Sequence, residues 1–142
     1  MKKLLFFYLL ALSCIILNAQ DEDYTSYVKT NFPKTHATIK SMAAKEWPGD
    51  YEMQAYKIMS LCNALHEYIT LDAKDFGIPE EVYSDISSTA VVEWSENPDF
   101  GTKCDDLSGI QRVDCAYSIL RADWEMVVYE IKKQAEAYKS IN

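Results

Sequence analysis

The sequence predicts an all-α fold of five to six helices in one domain, with two related helical units. The first observation is a repeat, because the segment 50–58 recurs as 123–131 with five of nine positions identical. The second is that apolar residues follow at helical steps of three and four in both copies. The third is that only four glycines and four prolines interrupt the 142 residues, which favours long helices.

Residues 1–19 have the layout of a secretory signal peptide. Two lysines precede an apolar run over residues 4–17, and cleavage is expected after Ala19. Fourteen residues are fewer than the roughly 20 that a membrane-spanning helix needs. Residues 20–142 are therefore expected to form the single helical domain.

This domain is expected in the periplasm or outside the cell, without stable membrane insertion once the signal is cleaved. The alternative is a lipid anchor on Cys14. It is less favoured because Ile15 follows the cysteine, where a polar tether would be expected.

The chain is acidic, and its charge limits the partners that it can bind. It has 14 basic and 22 acidic residues, a net charge of −8, and removal of the two signal-peptide lysines leaves −10. Such a domain repels phosphate backbones and anionic membranes. Nucleic acid is therefore not an expected partner, whereas another protein, including a basic one, fits the charge.

Helices are expected over residues 23–31, 34–46, 50–70, 80–95 and from about 107 to 140. The first pair is separated by Phe32-Pro33, and Trp47-Pro48-Gly49 precedes an Asp50 N-cap. Residues 72–79 are expected to be a loop. The β-branched run at residues 89–92 leaves a short strand as an alternative, and residues 121–123 allow a bend in the last helix.

Both units carry an apolar stripe that we expect to face the core. In the first unit the stripe has six members: Tyr51, Ala55, Ile58, Cys62, Leu65 and Ile69. An offset of 73 residues gives the stripe of the second unit: Trp124, Val128, Ile131, Ala135 and Tyr138.

Three cysteines remain after Cys14 leaves with the signal peptide, and an oxidising compartment favours one disulfide among them. The pair Cys104–Cys115 is favoured, because Cys104 lies in a turn-like stretch and Cys115 on the helix that follows it. Cys62, on the apolar stripe, would then be a buried free thiol. A bond from Cys62 to either of the others is the alternative.

The best candidates for a binding site are Met53, Tyr56, Met126 and Tyr129, which flank the two stripes. Each methionine lies three residues before its tyrosine, so each pair forms one patch on a helix. One interpretation is helix–helix packing. The other is a partner-binding face, which the ten tyrosines of the chain favour. Exposure of Tyr56 and Tyr129 would separate the two.

No catalytic residue, cofactor or metal ligand is predicted. His66-Glu67 begins like the zinc-protease helix motif, but Thr70 stands where a second histidine is required. Cys62 and His66 are one helical turn apart, which could form a Cys/His nucleophilic pair but is more often packing. An enzyme is therefore less favoured than a non-enzymatic protein.

The segment from Trp47 to Tyr56, Trp-x-x-Asp-Tyr-x-Met-x-x-Tyr, resembles one that recurs in exported bacterial helical proteins of unknown function. The second copy is similar in its aspartate, tryptophan, methionine and tyrosine. Lys57 and Glu130 depart from that pattern, which usually has cysteine there. The resemblance covers about 20 residues per copy, and it implies export and a repeat but no activity.

The function expected from these features is binding of another protein, for example as an inhibitor or immunity-type protein that neutralises a secreted enzyme. One alternative is a small periplasmic hydrolase that uses His66 and nearby acids. The other is a structural envelope protein, expected if no tyrosine-rich patch is exposed.

Overall fold

A computed structural model describes residues 23–98 and 103–142. All regular elements in these ranges are helices, and there are seven: α1 (Thr25–Asn31), α2 (Pro33–Glu46), α3 (Tyr51–Thr70), α4 (Ala73–Phe76), α5 (Glu80–Glu93), α6 (Gly109–Leu120) and α7 (Trp124–Ile141). The all-α prediction is confirmed, and the predicted number of five to six is slightly too low. The predicted signal peptide at residues 1–19 lies outside the described residues.

One additional helix, α4, lies in the segment expected to be a loop. Asp72 and Asp75 form a capping box, in which the Asp72 carboxylate accepts from the Asp75 amide and the Asp75 carboxylate accepts from the Asp72 amide at 2.8 Å. Gly77 ends the helix at φ 66°, a conformation that glycine adopts without strain. These local bonds stabilise a helix too short to show an apolar period.

The last predicted helix is divided into α6 and α7 at the expected bend. Arg121 takes a left-handed φ of 51°, and the Asp123 amide donates to the Trp94 carbonyl at 2.9 Å. The chain therefore turns against the end of α5. The Asp123 carboxylate then caps α7 by accepting from the Met126 amide, as Asp50 caps α3 by accepting from Met53. The strand alternative at residues 89–92 is wrong, because α5 runs through it.

Helices α3 and α7 contribute most of the core. Helix α3 packs against α1, α2 and α7. Helix α7 also packs against α5, and α6 packs against α2. Five fully buried side chains lie in the core that α3 and α7 share: Leu61, Leu65, Trp124, Val127 and Ile131. Their burial supplies the dominant favourable term for this fold.

The predicted stripe is confirmed over most of α7, where Trp124, Val128, Ile131 and Ala135 are buried, while its last member, Tyr138, is half-buried. It is wrong at the start of α3, since Tyr51 is 81% exposed and Ala55 is also exposed. Residues 44–50 are all exposed, so the first turn of α3 begins at the edge of the molecule. The stripe reaches the core only from Ile58 onward.

Cys104 and Cys115 are joined by a disulfide, with Cα atoms 5.9 Å apart, and Cys62 is a buried free thiol. This is the pairing favoured from the sequence. The bond ties the turn before α6 to the middle of that helix.

Reduction of the Cys104–Cys115 disulfide is expected to lower the free energy of unfolding by about 3 kcal/mol, because the bond closes a loop of 11 residues. Urea denaturation with and without dithiothreitol measures the change. In the same samples, Cys62 should react with maleimide only on unfolding, because its side chain is fully buried. Rapid labelling of Cys62 in the folded, reduced protein would contradict this placement.

Candidate functional site

The two candidate tyrosines are exposed, and their methionine neighbours are half-buried. Tyr56 keeps 60% of its surface exposed and Tyr129 keeps 57%, whereas Met53 and Met126 lie partly under neighbouring side chains. The two tyrosines are therefore not buried in helix–helix contacts. Their rings are available for contact with another molecule.

The fold places the two tyrosines on adjacent helices, because α3 and α7 pack side by side and run in the same direction. Glu125 contacts Ser60, and seven residues later Lys132 contacts Glu67 at 2.5 Å. This register places Tyr129 level with residue 64 of α3. Tyr56 is eight residues earlier, which corresponds to about 12 Å along the helix axis.

A groove separates the exposed rims of the two helices, and we call it the α3–α7 groove. It has a volume of about 370 Å³. Ala64 and Val128 are buried at its base, while Tyr129 lies on one rim. Tyr56 stands one helical turn before Ser60, which lines the opposite rim. The groove thus has an apolar base and Tyr129 on one rim, and Tyr56 lies one helical turn beyond the lining of the opposite rim.

Lys57 lies at the centre of an acidic cluster beside this groove. Its ammonium is 2.8 Å from Glu125, 3.9 Å from Glu46 and 4.0 Å from Asp123, and the Ser60 hydroxyl donates to Glu125. Burial disfavours the charged ammonium, but the hydrogen bond to Glu125 and the three acidic charges raise the pKa of Lys57. The cluster ties α3 to the N-terminal end of α7.

The stability contribution of Glu125 is expected to be lost in acid. Burial opposes ionisation of this carboxyl, but hydrogen bonds from Lys57 and Ser60 lower the pKa of Glu125 below its ordinary value of 4.5. A lowered folded-state pKa stabilises the protein above the unfolded value and ceases to do so as pH falls through the folded value. The difference in unfolding free energy between wild type and Glu125→Gln should therefore be largest near neutral pH and shrink below pH 4.5.

Urea denaturation between pH 3 and pH 7 measures this difference. Glu81→Gln removes one exposed carboxylate that makes no ion pair in the described part of the chain, and it serves as the control. If the difference in unfolding free energy from wild type shrinks equally for Glu125→Gln and Glu81→Gln as pH falls, the role given to Glu125 is contradicted.

The environment of Cys62 and His66 does not favour a nucleophilic pair. Cys62 is fully buried, and burial raises the pKa of its thiol to about 11, so the reactive thiolate is scarce at neutral pH. The His66 ring stacks on Tyr24 with centroids 3.5 Å apart and meets the edge of Tyr27 at 5.0 Å. These contacts pack the imidazole of α3 against two aromatic rings, one in α1 and one at its N-cap.

Over residues 23–98 and 103–142, no group of three or more histidine, cysteine, aspartate or glutamate side chains is placed to hold a metal ion. None of the helices in those ranges is long and apolar enough to cross a membrane.

Sequence reasoning missed two features that the fold creates. The first is the contact of α3 with α7 in parallel, for which the residue spacing within each helix carries no signal. The second is a basic groove formed by Lys29, His36 and Lys40 from two helices. The histidine and lysine four residues apart on α2 are the only local sign of it.

Comparisons with protein-family models, with curated proteins and with solved structures found no match for this chain. The resemblance of the segment at Trp47–Tyr56 to exported bacterial helical proteins therefore stays a prediction.

Proposed function

We propose that this protein binds another protein, without catalysis, through the face that carries Tyr56 and Tyr129. The role that fits best is an inhibitor or immunity-type protein for a secreted enzyme. The observation that carries the proposal is the exposure of both tyrosines, at 60% and 57%, on two parallel helices that share a groove. Tyrosine is enriched at protein interfaces because its ring offers a large rigid contact and its hydroxyl a hydrogen bond.

The surroundings of the two tyrosines also suit a protein interface. The groove base is apolar at Ala64 and Val128, and the pair Glu67–Lys132 spans the groove at 2.5 Å. An apolar centre with a polar rim is the usual arrangement in protein interfaces. A uniformly polar surface would have favoured a structural envelope protein instead.

The test is capture with residues 20–142 as immobilised bait in an envelope extract of the source organism. The captured protein is purified, and its affinity is measured by calorimetry against three variants. Tyr56→Ala and Tyr129→Ala should each weaken binding at least tenfold, as expected for aromatic anchors. Tyr51→Ala is the matched control, because Tyr51 is an exposed tyrosine at the first residue of α3, nine residues before Ser60 at the groove.

Binding that is unchanged in Tyr56→Ala and Tyr129→Ala would refute this face, and so would an equal loss in Tyr51→Ala. If the captured protein is an enzyme, its activity should fall as the bait is added in stoichiometric amount. If the captured protein has no enzymatic activity, the proposal is limited to protein binding and the inhibitor role is withdrawn.

Export belongs to the same proposal. The disulfide between Cys104 and Cys115 supports it, because such bonds persist in oxidising compartments. Intact mass of the protein from the periplasmic fraction should correspond to a chain that begins at Gln20. A lipid-modified chain that begins at Cys14 would instead establish the anchored alternative.

A further inference from the structure

A second groove lies between α1, α2 and α3, on the other side of Tyr56 from the α3–α7 groove. Its volume is about 660 Å³, which is within the usual range of small-molecule sites. One wall carries Lys29 of α1 with His36 and Lys40 of α2, and we call this site the basic groove.

The basic side chains converge in this groove although the chain as a whole has a net charge of −8. Burial lowers the pKa of His36, and so do the nearby positive charges of Lys40 and Lys29. In the described ranges, neither Lys29 nor Lys40 pairs with a carboxylate. The wall therefore carries positive charge that no described side chain neutralises.

The groove also contains one carboxylate, Asp23. It accepts from the Thr25 amide at 2.9 Å at the start of α1, and hydrogen bonds from Thr25 lower the pKa of Asp23. One negative charge leaves the two lysines in excess. It also disfavours a ligand with several negative charges, because like charges repel at short range.

The opposite wall is formed by α3 and is largely apolar. Ala55, Ile58 and Met59 line it, and Tyr56 stands at its edge. A ligand that uses both walls needs one anionic group for the lysines and an apolar body for α3.

We propose that the basic groove binds a single carboxylate carried on an apolar body. The carboxylate lies between Lys29 and Lys40, and the apolar body lies against Ile58 and Met59. Such a group has two sources, a free aliphatic acid and the C-terminal residue of a peptide. The basic groove shares Tyr56 with the proposed protein interface, but Lys29 and Lys40 do not line the α3–α7 groove. Variants of these lysines therefore test this site separately from the protein interface.

The test uses residues 20–142 with the methionine methyl groups labelled for NMR, and two acid probes. The probes are octanoate and an acetylated tripeptide that ends in a free leucine carboxylate. Their neutral controls are octanamide and the same tripeptide with an amidated end. At least one acid should shift the Met59 methyl and His36 ring signals saturably, and its amide should bind at least tenfold more weakly.

Two charge variants locate the anionic end. Lys29→Gln/Lys40→Gln should weaken the acid at least tenfold, because both ammonium groups that face it are removed. Lys74→Gln/Lys103→Gln removes the same charge from exposed positions outside the groove and should leave binding unchanged. Asp23→Asn keeps an oxygen that can accept from the Thr25 amide and should tighten binding about threefold by removing one repelling charge.

The acid that binds identifies the source, and binding of either one supports the site. The proposal is overturned if neither acid gives a saturable shift, or if acids and amides bind equally. It is also overturned if Lys74→Gln/Lys103→Gln weakens the acid as much as Lys29→Gln/Lys40→Gln does.

Discussion

Replacement of Trp124 by alanine is expected to lower the free energy of unfolding by about 4 kcal/mol. Trp124 is only 1% exposed at the start of α7. Its ring lies 5.1 Å from that of Tyr68 and 5.0 Å from that of Tyr117, centroid to centroid. Removal of the indole leaves a cavity among helices that cannot fully collapse, and it removes two aromatic contacts.

The repeat supplies a matched control, because Tyr51 holds in α3 the position that Trp124 holds in α7. Tyr51 is 81% exposed, so Tyr51→Ala should change the free energy of unfolding by less than about 0.5 kcal/mol. Urea denaturation followed by circular dichroism at 222 nm measures both variants without relying on tryptophan fluorescence. Similar losses for Tyr51→Ala and Trp124→Ala would mean that the start of α3 is buried.

The contrast between Tyr51 and Trp124 shows what the sequence could predict and what it could not. The Asp50 cap and the breaks before α2 and α3 depend on neighbours in the chain, and they were predicted where the structure has them. At Asp123 only a bend was predicted, and the structure adds the cap. Burial depends on which helix packs alongside. The same local pattern therefore gives an exposed ring in one copy and a buried ring in the other.

The same reasoning applies to the candidate site. The spacing of Met53 and Tyr56 predicted that they share one side of α3. The structure exposes the tyrosine on that side and leaves the methionine half-buried. Spacing within a helix could not predict that Tyr129 would lie on the adjacent helix in a parallel register. Lys29 and Lys40, from different helices, converge only through the packing of α1 on α2.

Asp114 is the site of the second large effect, and it lies in a position that no helix pattern predicts. It is 5% exposed on α6, yet it caps α2, which is about 80 residues earlier in the chain. Its carboxylate accepts from the Lys34 amide at 3.0 Å, from the Thr35 amide at 2.8 Å and from the Thr35 hydroxyl at 2.8 Å. The local N-cap residue of α2 is Phe32, whose side chain has no acceptor. Asp114 thus satisfies first-turn amides of α2 that have no acceptor within the helix.

Asp114→Ala is expected to lower the free energy of unfolding by about 3 kcal/mol. Charge-assisted hydrogen bonds are lost, the Lys34 and Thr35 amides lose their acceptor, and the anion that favours a helix N-terminus is removed. The Thr35 hydroxyl keeps the Asp114 carbonyl as an acceptor at 3.1 Å, which limits the loss. Asp114→Asn keeps one acceptor oxygen and should lose about half as much.

Asp106→Ala is the control, since Asp106 is an exposed aspartate in the turn before the same helix. Its effect should stay below about 0.5 kcal/mol, with the Cys104–Cys115 bond kept oxidised in every sample. Hydrogen exchange then separates loss of the cap from general loosening of α6. The Lys34 and Thr35 amides should exchange much faster in Asp114→Ala, while the amide of Ile131, at the centre of α7, should follow only the change in global stability. If the two α2 amides stay as protected as the Ile131 amide, then Asp114 does not supply the cap of α2.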